Sequence, residues 1–274
     1  MLLPFSSHGK AVTSLFLSIV LPCTGIAAEW EITESKSRDI ARAVKFKNVN
    51  ARTAAGKRAS LSFVFFSPTA AGFRVVDQVD KNDPAYVNLA DAMKKNGCIA
   101  GTNGGFFQKD FAPLGLQIAD GQRAGTFNSG SQLLSGVFFV NESGSPQLVR
   151  RSAFKDEPDI VHLLQSGPYL VEDGRPTGGL DSDRAATRTF VFRTSSNLWG
   201  LGRCSRITLA DLGALLANDQ LLATAQVQSA LNLDGGSSSG LWVEGGADDG
   251  KDHYDRSWAN VRNFVGIEVK ASDP

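Results

Sequence analysis

Two stretches of this chain end an apolar run in a polar side chain followed by Gly-Gly. The first is CIAGTNGGFF, Cys98 to Phe107, where the polar residue is Asn103. The second is SALNLDGGSSSG, Ser229 to Gly240, where it is Asp234. Asp234 is a candidate general acid or base, or a ligand for a cation. Asn103 has an amide suited to a sugar hydroxyl or a phosphate oxygen. The glycines at 104, 105, 235 and 236 let a ligand approach the backbone, and concave backbone turns present N–H groups to anions. A Gly-Gly pair after a strand is also an ordinary turn signal, and asparagine often caps turns. Arg188 adds a guanidinium fork that matches phosphate oxygens in pairs, within a basic run shared with Arg184 and Arg193.

Other chemistries fit less well. Ser237 to Ser239 would need a histidine base to act as a nucleophile, and neither His162 nor His253 sits in a triad context. GGSSSG lacks the lysine of a nucleotide phosphate loop. The acidic loop holding Asp248, Asp249, Asp252 and Asp255 lacks the spacing of a calcium loop and reads as solvated. Glycoside cleavage commonly uses two carboxylates. Glu172, Asp173 and Asp120 each stand at a turn as possible partners for Asp234, and Asp-Gly turn chemistry already accounts for Asp120 and Asp173.

The elements that must carry these residues read mostly as strands. Arg58–Ser67 is a strand, and Phe73–Val79 reads as its hairpin partner after the Pro68–Gly72 turn. Val87–Lys95 reads as a short helix stopped by Asn96-Gly97. Further strands cover 115–119, 136–141, 147–150, 189–193 and 263–269, the stretch LLQSGPYLVE lies within 162–172, and turns stand at Asp120-Gly121, Ser143-Gly144 and Asp173-Gly174. Thr208 caps a second helix, with Asp211 three residues on. Many strands and two helices predict an α+β domain on a mostly antiparallel sheet.

Residues 1–28 resemble a secretion signal: His8 and Lys10, an apolar core from Val12 to Leu21, then small residues before cleavage after Ala27 or Ala28. That core is shorter than the roughly 20 residues a membrane span needs. The expected division is therefore a signal, 1–28, and one domain, 29–274, periplasmic or secreted, with no integral span after cleavage. The full chain has 28 basic and 28 acidic residues; the signal holds one base and no acid, leaving a net charge of −1. Such a balance gives no electrostatic footprint for nucleic acid. Two cysteines remain after cleavage, Cys98 and Cys204. In an oxidising compartment they are expected to form a disulfide, two buried thiols being the alternative.

Four motifs occur in order: TNGGFF at 102–107, QSGPYLVEDG at 165–174, Arg188-Thr189, and ALNLDGGSSS at 230–239. Together they resemble the phosphodiester glycosidase family over about 60–269. The chain departs from the family pattern where Ser237 replaces a third glycine and where the segment after the arginine reads TFVFR. The resemblance implies hydrolysis of a sugar-1-phosphodiester, such as one of N-acetylglucosamine in envelope glycans. It implies catalytic roles for Asp234, Arg188 and Asn103. Gly104, Gly105, Gly235, Gly236, Ser237, Gln165 and Ser166 are expected at the substrate. A divalent cation beside Asp234 is the one cofactor the pattern admits. The expected partner is a sugar phosphate or glycan, and the competing reading is a non-catalytic glycan-binding envelope protein that keeps the fold.

Overall fold

In the computed structural model of the protein, residues 29–223, 225–246 and 250–271 are described. The signal reading falls on residues 1–28, outside that range. In chain order the strands and helices are β1 (Trp30–Ala41), β2 (Val44–Thr53), β3 (Arg58–Phe66), β4 (Ala71–Asp77), α1 (Leu89–Lys95), β5 (Cys98–Asn103), β6 (Gln117–Ala119), β7 (Gln122–Ala124), β8 (Gly136–Asn141), β9 (Pro146–Arg150), β10 (Ile160–Ser166), β11 (Tyr169–Glu172), β12 (Arg175–Pro176), β13 (Ala186–Thr194), β14 (Trp199–Ile207), α2 (Leu209–Leu216), β15 (Val227–Asn232), β16 (Leu241–Val243), β17 (His253–Asp255) and β18 (Asn263–Val269). They form three sheets, ordered β1-β2-β3-β14-β13-β15-β11-β12, β7-β6-β10-β8-β9 and β17-β16-β5-β18-β4. Every described strand pair is antiparallel.

The central strands of the large sheet are buried on both faces, and β3 shows why its sequence is a nearly unbroken apolar run. Leu61, Phe63 and Phe65 face a core shared with Leu212, Leu215 and Leu216 of α2. Val64 and Phe66 face a core shared with all three sheets, including Phe73, Phe138 and Val265. A strand covered on both sides loses polar alternation. Helix α1 covers the outer face of the third sheet, where Met93 and Trp242 pack together with Cys98.

Three expectations change here. Strand β4 is not the hairpin partner of β3. Both edges of β3 are occupied, by β2 and β14. The chain instead turns at Ser67, whose carbonyl accepts from Ala70 N at 2.9 Å and Ala71 N at 3.2 Å, and β4 pairs along its whole length with β18. Cys98 and Cys204 do not form a disulfide: both are free and buried, in separate cores on separate sheets. Burial pushes each thiol up to about 12, so neither is a reactive thiolate. In the acidic loop Asp248 and Asp249 lie outside the described residues, while Asp252 and Asp255 are engaged rather than merely solvated. Asp252 accepts from Trp242 Nε1 at 3.1 Å and from Gly245 N at 2.9 Å, and Asp255 pairs with Arg203 at 3.2 Å.

The local turn chemistry matches the sequence. Asp120 and Gly121 both hold positive φ, as do Asp173 and Gly174, the signature of two-residue hairpin turns. The Thr208 hydroxyl accepts from Asp211 N at 3.1 Å and donates to Asp211 Oδ2 at 2.9 Å. Strand β14, WGLGRCSRI, gives little strand signal in sequence because glycine weakens it. Its glycines leave room for aromatic rings: a Cβ on Gly202 would lie 2.3 Å from Phe190 Cζ, and Phe190 and Phe192 both meet Phe63 edge to face.

Candidate active site

The two Gly-Gly stretches meet. Asp234 N donates to Gly104 O at 3.0 Å, directly joining the segment after β15 to the segment after β5. Asn103 locks the junction. It is only 2% exposed, and its Nδ2 donates to Asp234 O at 2.7 Å. Its Oδ1 accepts from Thr189 Oγ1 at 3.0 Å and Gly240 N at 3.2 Å. One buried amide thus ties β5, β13 and both ends of the Asp-Gly-Gly turn together. With its donors and acceptor engaged, Asn103 positions the site and does not offer its amide to a ligand.

The glycines divide likewise. Gly104 N and Gly105 N, expected to cradle an anion, instead donate to Asn263 O at 2.8 Å and Asn263 Oδ1 at 2.7 Å. Gly104 must be glycine, since a Cβ there would stand 1.9 Å from Asn263 Oδ1. Asn263, at the start of β18, was not singled out from the sequence. Its Nδ2 continues the network to Gln117 Oε1 at 2.6 Å. The signal that points to it is the neighbouring Arg262, buried and bidentate to Asp77 at 2.7 and 2.8 Å, which pins the beginning of β18.

Gln165 and Ser166, expected at the substrate, spend their polar groups on the protein's own backbone. Gln165 is buried and spends its amide on backbone: Nε2 donates to Asn128 O at 2.7 Å, while Oε1 accepts from Asn128 N at 2.9 Å. Ser166 Oγ donates to Asn232 O at 2.9 Å. Both hold loop 128–134 and the end of β15 against the peptide Gly167-Pro168, which is cis.

Asp234 differs from all of these in being only half-buried. Its Oδ1 accepts from Gly235 N at 2.9 Å. Burial raises its pKa above the usual 3.8, although the Ser238 hydroxyl and the Gly235 N–H both favour the charged form. A carboxyl that keeps its proton to higher pH suits a proton donor. Gly236 holds φ at 66° and Ser237 is exposed, so the turn after Asp234 faces solvent. None of the three other carboxylates is free. Glu172 is paired with Arg150 at 2.8 and 2.5 Å, Asp120 with Arg74 at 2.8 Å, and Asp173 accepts from Gln228 at 3.4 Å. His162 is buried, and desolvation lowers its pKa while the nearby Asp120 opposes this. No group of three His, Cys, Asp or Glu side chains suited to a metal gathers among the described residues.

Arg188 lies against the same turn. Its Nη1 is 3.3 Å from where a Cβ on Gly235 would stand. It is 9% exposed and donates to two carbonyls, Arg184 O at 2.8 Å and Ile207 O at 3.4 Å. Among the described residues it makes no ion pair. Desolvation pulls its pKa down, Asp181 partly opposes this, and Arg184 adds to it. Asp181 does not reach Arg188 as a partner; its Oδ1 is held by Asp183 N at 2.8 Å and Arg184 N at 3.0 Å. A buried guanidinium without a carboxylate is costly unless an anion completes it.

The fold has counterparts among known proteins. The sequence model of the phosphodiester glycosidase family matches residues 96–268, which include Asn103, Arg188 and Asp234. The chain therefore belongs to the phosphodiester glycosidase family. The Escherichia coli uncharacterized protein YigE is 36% identical over 93 residues, 31% of this chain and 36% of that protein. The chain thus spans about a third of that relative's length. The fold resembles the zebrafish N-acetylglucosamine-1-phosphodiester alpha-N-acetylglucosaminidase catalytic domain, with a TM-score of 0.59, 18% identity, and coverage of 89% of this chain and 88% of that one. It is equally similar to a hypothetical protein from Synechocystis, with a TM-score of 0.59, 15% identity, and coverage of 89% and 69%.

Proposed function

We propose that this protein hydrolyses a sugar-1-phosphodiester in the cell envelope, with Asp234 moving the proton and Arg188 holding the phosphate. Family membership supports the reaction class. The observation that carries the assignment of the site is Arg188, a buried cation without an ion-pair partner among the described residues, packed against Gly235 of the turn that begins at Asp234. A substrate phosphodiester would be the missing counter-ion, taken in the paired geometry a guanidinium favours.

In the step we propose, a water oxygen bonds to the anomeric carbon and the bond from that carbon to the phosphate oxygen breaks. Asp234 gives its proton to the departing phosphate oxygen, and the attacking water gives one of its protons to bulk water, from which Asp234 is reprotonated. The Gly236–Ser237 turn, exposed and without bulk at Gly236, lines the sugar side. N-acetylglucosamine is the sugar we infer, on the strength of the family and of the zebrafish relative. Export follows from the character of residues 1–28, and an exported form beginning at Ala28 or Glu29 by mass spectrometry is the expected result.

One observation favours a glycan-binding protein without turnover: Glu172, Asp173 and Asp120 are all held away from the site as possible second carboxylates. A phosphate is a good leaving group, so one carboxyl suffices for the hydrolytic reading. Product release from a panel of sugar-1-phosphodiesters separates the two. Hydrolysis of one member supports the enzyme, whereas binding without release across the whole panel supports the binder.

A further inference from the structure

The most exposed large apolar side chain among the described residues is Trp258, 92% open to solvent. The chain's three other tryptophans, Trp30, Trp199 and Trp242, are buried. An indole carries one of the largest apolar surfaces of any side chain, and its flat face suits the C–H face of a sugar ring. Trp258 also stands in a defined place. Its N–H donates to Ser237 O at 2.8 Å, and Ala259 N donates to the same carbonyl at 3.1 Å. Ser237 is three residues past Asp234 on the open turn. Beneath this loop, Gly240 packs so closely that a Cβ would stand 3.2 Å from Ser257 N.

A second contact set fixes the loop from the other side. Gln78 Nε2 donates to Val261 O at 3.1 Å, and Gln78 Oε1 accepts from Tyr86 N at 3.3 Å. Between the two segments lies a hollow of about 80 Å³, whose lining includes Tyr86, Val87, Ser257, Trp258 and Asn260. Val87 is itself largely exposed. The hollow therefore sets an aromatic and an aliphatic surface beside hydroxyl and amide groups. The hollow is too small to enclose a pyranose, whose apolar C–H face and polar rim instead match the open indole and the polar groups beside it.

We propose that Trp258 is the platform on which the substrate's pyranose ring rests, a sugar subsite joined to the Asp234 turn through the Ser237 carbonyl. This rests on the reading of the Asp234–Arg188 site as a sugar-1-phosphodiester site. It assigns Trp258 to binding and specificity, outside the chemical step.

The test uses the tryptophans themselves. Acrylamide reaches Trp258 and not the three buried indoles, so quenching of the native protein reports this one residue. N-acetylglucosamine-1-phosphate should protect the quenchable emission, and Trp258→Phe should remove that emission altogether. With a substrate that turns over, Trp258→Ala should raise KM about tenfold, the loss of roughly one aromatic contact, with kcat within about twofold; Trp258→Phe should recover part of the loss. Quenching that stays unchanged up to the highest soluble probe concentration overturns the proposal, as does an unaltered KM in Trp258→Ala. Protection by an alkyl phosphate lacking a sugar, but not by the sugar phosphate, also overturns it, by giving the platform to an apolar leaving group. If the wild type hydrolyses the substrate while Trp258 stays unprotected, this inference fails and the enzyme reading stands. If the sugar phosphate protects Trp258 but no phosphodiester is cleaved, the subsite stands and the hydrolytic reading fails.

Discussion

Two arginines of this protein are equally buried and differ in what they hold. Arg262 is 8% exposed and grips Asp77 with two short hydrogen bonds. Arg188 is 9% exposed and holds two backbone carbonyls with no carboxylate among the described residues. Arg262 is neutralised from within and fixes the start of β18, and through it Asn263 and both N–H groups of the first Gly-Gly pair. Arg188 sits one turn from Asp234 and is left for an anion from outside. Burial alone does not mark a functional charge. A buried charge whose partner is missing does, because the protein tolerates its desolvation only if something else benefits.

The comparison breaks first at Arg262. Removing one member of a buried, bidentate pair strands the other, so Arg262→Ala should lower unfolding stability by about 3–5 kcal/mol, read as a lower urea midpoint at constant slope. Asn103→Ala should come next. It orphans the buried Gly240 N–H and loosens the Asp234 carbonyl, at a cost on the order of 3 kcal/mol by the same measurement. Arg188→Ala should behave otherwise, shifting stability by no more than about 1 kcal/mol because it deletes an unpaired charge. Its effect belongs in kinetics, as a rise in KM of about 10- to 100-fold, since charge-assisted hydrogen bonds to a phosphate are uniform binding. A stability loss in Arg188→Ala as large as that in Arg262→Ala would erase the distinction.

The smallest effect concerns Asp234 and pH. Its folded pKa is raised above the unfolded 3.8. The stability of the wild type is therefore complete below about pH 4 with respect to this group and declines as pH rises through the raised value. Asp234→Asn cannot ionise. It should match the wild type in acid and be slightly more stable than it at neutral pH, a difference that paired thermal melts at the two pH values would show.

Much of the site was legible in the sequence because it is local. Asp234-Gly-Gly, Asn103-Gly-Gly and the Asp-Gly turns carry their meaning within a few residues. What was not legible is pairing at a distance. The hairpin expected between β3 and β4 fails because β14, glycine-rich and weak as a strand in sequence, takes the edge of β3 that β4 would have used. The Cys98–Cys204 bridge fails because the two residues belong to different cores, which no spacing reveals. Asn103 looked like a ligand-binding amide and proves to be the clasp of the site. Its type and place were readable, while the three partners that saturate it come from residues 86 to 137 positions away. Asn263 and Trp258 carry no motif at all; one is identified by what it ties down and the other by what it leaves uncovered.

The account turns on Asp234, and the most direct test is steady-state hydrolysis of a sugar-1-phosphodiester by Asp234→Asn beside the wild type. Proton transfer by a placed side chain is worth about 10²–10⁴-fold, so kcat should fall by at least ~100-fold while the unfolding midpoint is kept or raised and KM changes little. Near-full turnover by the folded variant would contradict the account and leave Asp234 a structural end to β15.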